Sequence, residues 1–119
     1  MNSLSAKNTI SAETRERARG IKLLALDVDG VLSDGKLHYG NNGEELKCFS
    51  ILDGLGIKLL QDQGIIVAII TGRESNIVSR RARELSIQYV VQGREDKITA
   101  LNELLKQTGF TLEQTAYMG

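Results

Sequence analysis

The 119-residue chain contains no proline, one cysteine and one histidine. The lone cysteine, Cys48, excludes an internal disulfide framework and fits a reducing compartment. It reads as a small, half-buried residue on a strand rather than as a nucleophile. The lack of proline, against an average usage of about 5%, carries no functional implication. Net charge is lacking too, because 15 Lys and Arg balance 15 Asp and Glu. That balance removes the electrostatic argument for nucleic acid or an anionic membrane as partner. No apolar run approaches the roughly 20 residues of a membrane span. The opening stretch, MNSLSAKNTISAETRERARG, lacks the apolar segment of a secretory signal. The cytoplasm is therefore the expected location.

What is present has the composition of a soluble globular protein, and the length predicts one domain with a modest core. Residues 1–20 read as an N-terminal arm, with a short polar helix over 9–19. The core follows over 21–119. IKLLALDV (21–28) is nearly unbroken in its apolarity, which predicts a strand covered on both faces, as in a parallel sheet. IIVAII (65–70), IQYVV (87–91) and TAYM (115–118) read as further strands. Helical spacing links Leu55, Lys58, Leu59 and Asp62 over 54–63, with Gly64 as a stop. It also links Ile77, Val78, Ala82 and Leu85 over 75–86, with Ser75 as cap. A third stripe, Ile98, Leu101, Leu104 and Leu105, runs over 95–109 and ends at Gly109. Strands alternating with helices predict a doubly wound, Rossmann-like α/β sheet. Residues 36–49 interrupt the alternation. Leu37 and Tyr39, a Gly40-Asn41-Asn42-Gly43 turn, then Leu46, Cys48 and Phe49 predict a β-hairpin inserted after the first strand.

Three segments carry chemistry. In LDVDGVLSDG (26–35), Asp27 and Asp29 stand at the end of a buried strand. Two like charges in a cleft are costly unless a cation or a pKa shift compensates them. The pair therefore predicts a hard divalent cation, Mg²⁺, on oxygen ligands. Gly30 permits a sharp turn that aims backbone N–H groups at an anion. In IIVAIITGR (65–73), a buried strand runs into Thr71, Gly72 and Arg73. They offer a hydroxyl, an unhindered amide and a bidentate cation to a phosphate. In GREDK (93–97), Lys97 opens a helix against its dipole, which hints at neutralisation of a phosphate. Each segment alone also fits a solvated turn. Together, at one edge of one sheet, they predict in-line attack on a phosphoryl group.

This order of motifs resembles the haloacid dehalogenase superfamily of phosphotransferases from about Ile21 onward. LDVDGVLSDG, GNNGEELKCF, SILDGLGIK, IITGR and Lys97 are similar, more narrowly, to the 3-deoxy-D-manno-octulosonate 8-phosphate phosphatase family. That bacterial family releases phosphate and the free sugar (KDO) on the route to lipopolysaccharide. The resemblance implies that Asp27 is the nucleophile and a Mg²⁺ ligand. Asp29 would be the general acid/base, with its carbonyl on the metal. Thr71 and Lys97 would hold the phosphoryl group. Ser50, Ile51, Leu52, Asp53 and Gly54, with Lys58, Arg73 and Arg81, would face the sugar phosphate. It also implies a homotetramer whose hairpins, here 36–49, close neighbouring sites.

Two residues depart from the family pattern. Leu52 and Lys58 stand where the family often has arginine, so one charge is lost and one fork becomes a point charge. The family's fourth motif, Gly-Asp-Asp, would supply a further metal carboxylate, whereas this sequence reads TAYMG up to Gly119. The expectation is therefore a core lacking its C-terminal part, as in a shortened form of a longer protein. Two further readings stay open: a phosphatase for related 9-carbon acylneuraminate or KDN sugar phosphates, and an inactive fold that only oligomerises. His38 reads as a packed or surface residue, Asp34 as a turn cap, and Arg80 and Arg83 as a solvated helix face. Asp53 divides evenly between capping the next helix and touching substrate.

Overall fold

A computed structural model describes residues 11–29, 31–33 and 49–119, with the backbone of two short strands at 38–39 and 45–46. The expectations for residues 1–10, Gly30, Asp34, Leu37, the turn at 40–43 and Cys48 lie outside the described residues.

The elements are α1 (Ala12–Arg19), β1 (Leu23–Leu26), β2 (His38–Tyr39), β3 (Glu45–Leu46), α2 (Ile51–Asp62), β4 (Ile66–Ile70), α3 (Asn76–Glu84), β5 (Tyr89–Val91), α4 (Lys97–Thr108) and β6 (Thr115–Met118). β2 pairs antiparallel with β3, as the hairpin pattern predicts. The other four strands form one sheet in the order β5-β4-β1-β6, and every pairing in it is parallel. The chain winds outward from β1 to β4 and β5, then crosses back to place β6 on the far side of β1. That reversal makes the carboxyl ends of β1 and β6 the switch point, where open α/β sheets bind ligands.

Unbroken apolarity in β1 and β4 follows from cover on both faces. Leu26, Val67 and Ile69 pack with Ile57 of α2 and with Val78 and Ala82 of α3. Leu23, Ala25, Ala68 and Ile70 face the other way, onto Ala100 and Leu104 of α4. Burying a Leu, Ile or Val side chain is worth about 1.5–3 kcal/mol, so this double-sided core is the main source of stability. α1, by contrast, buries no residue and is held by a Ser11 cap and by Arg17–Glu13 and Arg19–Glu16 pairs.

The predicted helices form with shifted limits. α2 starts earlier than expected, at Ile51, because the Ser50 hydroxyl accepts from the Asp53 amide at 3.3 Å. α3 begins after the predicted cap, whose Ser75 oxygen accepts from the Ile77 amide at 3.2 Å. Gly64 and Gly109 close α2 and α4 with φ of 86° and 79°, a region that glycine enters without a Cβ clash. Two stripes differ from the pattern. Ile98 is 78% exposed, and the residues α4 buries are Ala100 and Leu104. Leu55 and Leu59 point outward, while Gly54 and Ile57 face the core. Among the described residues, no helix is long and apolar enough to cross a membrane.

Candidate active site

β1 ends at Leu26, so Asp27 is the first residue beyond the strand and Asp29 lies in the turn that follows. Both carboxylates lie past the end of the strand, and each has its own cation. Lys97 Nζ donates to Asp27 Oδ2 at 2.5 Å across a sequence separation of 70 residues. Arg73 Nε lies 3.5 Å from Asp29 Oδ2. Asp27 is fixed further, because its Oδ1 accepts from the Val28 amide at 2.7 Å and its own amide donates to the Met118 carbonyl at 2.9 Å. The Val28 carbonyl accepts from the amides of Val31, Leu32 and Ser33, which folds the chain sharply after the first carboxylate.

Thr71 follows β4 directly and is 2% exposed. Its hydroxyl accepts from the Arg73 amide at 3.4 Å. Its amide donates to the Val91 carbonyl, and its carbonyl accepts from the Arg94 amide, which ties this turn to the end of β5. A side chain on Gly72 would place its Cβ 2.5 Å from Glu95 Oε1, so the Glu95 carboxylate covers this glycine.

Lys97 is the first residue of α4. The hydrogen bond to Asp27 holds its ammonium above the ordinary lysine pKa. Burial opposes that effect, and Tyr117 adds to it. The preceding loop is braced by Arg94, whose guanidinium grips Asp96 at 2.9 and 2.6 Å and Glu103 at 2.7 Å. The Asp96 carboxyl is held below its usual value by Arg94 and makes no cap on α4. The edge thus gathers Asp27, Asp29, Thr71, Arg73 and Lys97, as the sequence predicts.

Other candidates sit differently. Lys58 Nζ donates to Ser86 Oγ at 3.0 Å, in the turn before β5 and away from this edge. Arg81 reaches toward α2, where Nη2 donates to the Ser50 carbonyl at 3.4 Å. Its guanidinium also lies 5.8 Å from the centre of the Phe49 ring and pairs with Glu84. A Cβ on Gly54 would stand 2.5 Å from Arg81 Nη2, so the glycine makes room for that arginine. Asp53 gives its amide to the Ser50 cap and lies in the first turn of α2. Ile51 and Leu52 are 83% and 77% exposed.

The donor set at the edge suits a hard cation. Asp27 and Asp29 offer carboxylate oxygens with side chains 18% and 30% exposed. Among the described residues, no group of three or more His, Cys, Asp or Glu side chains gathers as a metal site. Oxygen donors of this kind are the ones Mg²⁺ takes, with water and phosphate oxygens filling the rest of its shell.

A parallel α/β sheet with an Asp-x-Asp at its switch point, a Thr directly after the neighbouring strand and a Lys opening the helix after the next one resembles the core of the haloacid dehalogenase superfamily. No protein-family model matches the chain. A 3-deoxy-D-manno-octulosonate 8-phosphate phosphatase (KdsC) of Haemophilus influenzae is 50% identical over 105 residues, which are 88% of this chain and 58% of that protein. Its namesake in Escherichia coli is 46% identical over 110 residues, 92% of this chain and 58% of the relative. A crystal structure of the phosphatase of that name from Moraxella catarrhalis, in complex with magnesium, phosphate and KDO, superposes with a TM-score of 0.88 at 50% identity. The match covers 92% of this chain and 63% of that one. A cobalt-bound form of the H. influenzae protein gives a TM-score of 0.83 at 50% identity, over 87% of this chain and 60% of that one. The chain is similar to these 3-deoxy-D-manno-octulosonate 8-phosphate phosphatases over most of its own length, and it spans 58% of the length of these curated relatives.

Sequence reasoning missed the contributions of β6 and of Glu95. The carbonyl of Met118 fixes the Asp27 amide, and Tyr117 adds to the upward shift of the Lys97 pKa. TAYM reads only as a strand, so no motif singles it out.

Proposed function

We propose that this chain carries the reacting groups of a phosphatase acting on 3-deoxy-D-manno-octulosonate 8-phosphate. The observation that supports it most is the Lys97–Asp27 contact at 2.5 Å, which assembles a nucleophile and a cation at the switch point. The Moraxella relative, with phosphate and KDO in its crystal, supports the choice of sugar.

Asp27 attacks phosphorus with a carboxylate oxygen, and the bond from phosphorus to the sugar oxygen breaks. Asp29 gives that oxygen its proton. Asp29 then takes a proton from water, which attacks the aspartyl-phosphate and releases phosphate and free Asp27. Lys97 and the Thr71 hydroxyl hold the phosphoryl oxygens, with amides of Gly30 and Gly72 in support. The Asp27 carboxylate and the Asp29 carbonyl would hold Mg²⁺, which when bound offsets charge on the phosphoryl group. Arg73, Ser50 to Gly54, Lys58 and Arg81 form the sugar-facing set. Lys58 and Arg81 would have to leave Ser86 and Ser50 to take part. A homotetramer built through hairpin 36–49, in the cytoplasm, completes the proposal.

The test is phosphate release from the octulosonate 8-phosphate and from a 9-carbon sialic-type sugar phosphate, with Mg²⁺ present. Preference for the first supports the assignment, and preference for the second moves it to the related sugars. Asp27→Asn is expected to abolish turnover with unchanged circular dichroism. A turning-over Asp27→Asn protein refutes the nucleophile. A well-folded parent chain that releases no phosphate leaves the fold as an assembly module.

A further inference from the structure

The Ser75 amide, just before α3, has an acceptor from far along the chain. In a capping box the third helical residue returns an acceptor to the N–H of the cap. Here that position is Val78, which is apolar and buried. The acceptor comes instead from the residue after β5. Gln92 Oε1 accepts from the Ser75 amide at 2.8 Å, across a sequence separation of 17 residues. The other end of the same side chain, Nε2, donates to Ser79 Oγ at 2.8 Å. Ser79 Oγ in turn donates to the Ser75 carbonyl at 3.4 Å, which closes a ring around the first turn of α3. A backbone N–H can only donate, so the side-chain amide has one workable orientation, oxygen to Ser75 and nitrogen to Ser79.

The turn of Thr71, Gly72 and Arg73 lies between this clip and β4. Thr71 is held by backbone bonds alone: its amide donates to the Val91 carbonyl at 2.9 Å, and its carbonyl accepts from the Arg94 amide at 3.2 Å. The Arg73 carbonyl accepts from the Gly93 amide at 3.2 Å. The next bond from this segment to the loop after β5 is the one between Ser75 and Gln92. Arg73 and Glu74 are therefore strung between a backbone tether and a side-chain tether. The Arg73 side chain is 53% exposed, so its direction depends on the backbone that carries it more than on packing. Its Nε lies 3.5 Å from Asp29 Oδ2.

We infer that Gln92 is a positioning residue: by clipping the Ser75 amide and the Ser79 hydroxyl together, it fixes the start of α3 and so aims Arg73 across the sheet edge. That Arg73 is aimed at a sugar phosphate rests on the phosphatase reading. The tether itself does not.

The test has two arms on the full 119-residue chain. The first follows the Ser75 amide and the Arg73 Nε–H by ¹H–¹⁵N NMR exchange, without ligand. Gln92→Met keeps the length of the side chain and removes both hydrogen bonds. It is expected to speed exchange of the Ser75 amide by about fivefold, with the Arg73 Nε–H faster as well. The second arm measures phosphate release from the octulosonate 8-phosphate with Mg²⁺ present. Gln92→Met is expected to raise KM by about fivefold and to leave kcat within about twofold, because Arg73 serves binding while Asp27 and Lys97 keep their places. Ser75→Ala removes the cap of the same helix and keeps the amide that Gln92 holds, so its KM is expected to match the parent. Ser79→Ala, which loses only one of the two bonds, is expected to raise KM by about twofold, and it decides the question if Gln92→Met does not fold. Unchanged exchange at Ser75 or at Arg73 in a folded Gln92→Met chain overturns the inference. So does a fall in kcat without a rise in KM, or an equal rise in KM from Ser75→Ala, since either marks a loss of helix stability alone. If the parent releases no phosphate, the phosphatase reading fails, and the exchange at Ser75 and Arg73 decides the role of Gln92.

Discussion

The two flanks of β1 are made from the same kinds of residue and are covered to different degrees. On the β4 side, Val67 to Ile70 are at most 2% exposed, because α2 and α3 close one face and α4 the other. On the β6 side, Tyr117 and Met118 are 42% and 54% exposed. There α2 turns Leu52, Leu55 and Leu59 outward, at 77%, 56% and 59% exposure. A groove of about 480 Å³ runs between them, lined by Leu24, Leu26, Leu52, Leu59, Leu60 and Met118 among others. Asp27 stands on the boundary. Its side-chain cation, and the Thr71–Arg73 turn beside it, come from the covered flank. The other flank gives it the backbone carbonyl of Met118. The charged groups are thus gathered where packing fixes their backbones, and the apolar excess is left where packing is thin.

Substitutions separate these two conditions, and the largest effect belongs to the covered flank. Ile70 is fully buried on the α4 face. Ile70→Ala is expected to lower unfolding free energy by about 2–5 kcal/mol, through lost transfer energy and a cavity. Urea unfolding would show it as a lower midpoint at constant slope. A loss below about 1 kcal/mol would mean that this side collapses as freely as an exposed one. Next comes the boundary itself. Lys97→Met removes the cation from Asp27, and kcat is expected to fall by about 10²–10³-fold, the usual cost of losing one preorganised group. Because both side chains keep solvent contact, at 33% and 18% exposure, stability is expected to change by no more than about 1–2 kcal/mol. A variant that loses stability in proportion to activity would make the pair a structural bolt.

A smaller effect is expected at the start of α3, where Ser75 caps Ile77 and its own amide donates to Gln92 Oε1 at 2.8 Å. Ser75→Ala removes only the cap and is expected to cost about 1 kcal/mol in thermal unfolding. This element was readable from the chain in advance. A serine before a stripe of Ile77, Val78, Ala82 and Leu85 carries its own start signal. β1 and β4 were readable for a similar reason, since two-sided cover leaves an unbroken apolar run. The site was readable where a motif abuts such a run, as with Asp27, Thr71 and Arg73. Lys97 was readable because a lysine opposing a helix dipole is unusual. What lay beyond reach depends on packing between distant segments. Ile98 belongs to a helical stripe, yet α4 is rotated so that Ala100 meets the sheet. Asp29 stands at i+2 from Asp27, yet the chain has already turned and the two take separate partners. Lys58 points to Ser86, whose backbone has a φ of 57°, and no local pattern announces that turn.

The smallest effect is expected on the thinly packed flank. Leu55 and Leu59 lie one turn apart on α2 and present more than half their surface to solvent. Replacing both by Gln keeps helix propensity nearly constant, since the two residue types differ little as helix formers. Little apolar area is uncovered, so the unfolding free energy is expected to stay within about 0.5 kcal/mol of the parent. Binding of a hydrophobic dye should nevertheless fall, because an exposed apolar patch attracts such probes and the substitution dilutes it. Unchanged stability with lower dye binding marks this face as surface rather than core. A loss of several kcal/mol would show that α2 uses these leucines to fold, and the contrast between the two flanks would collapse.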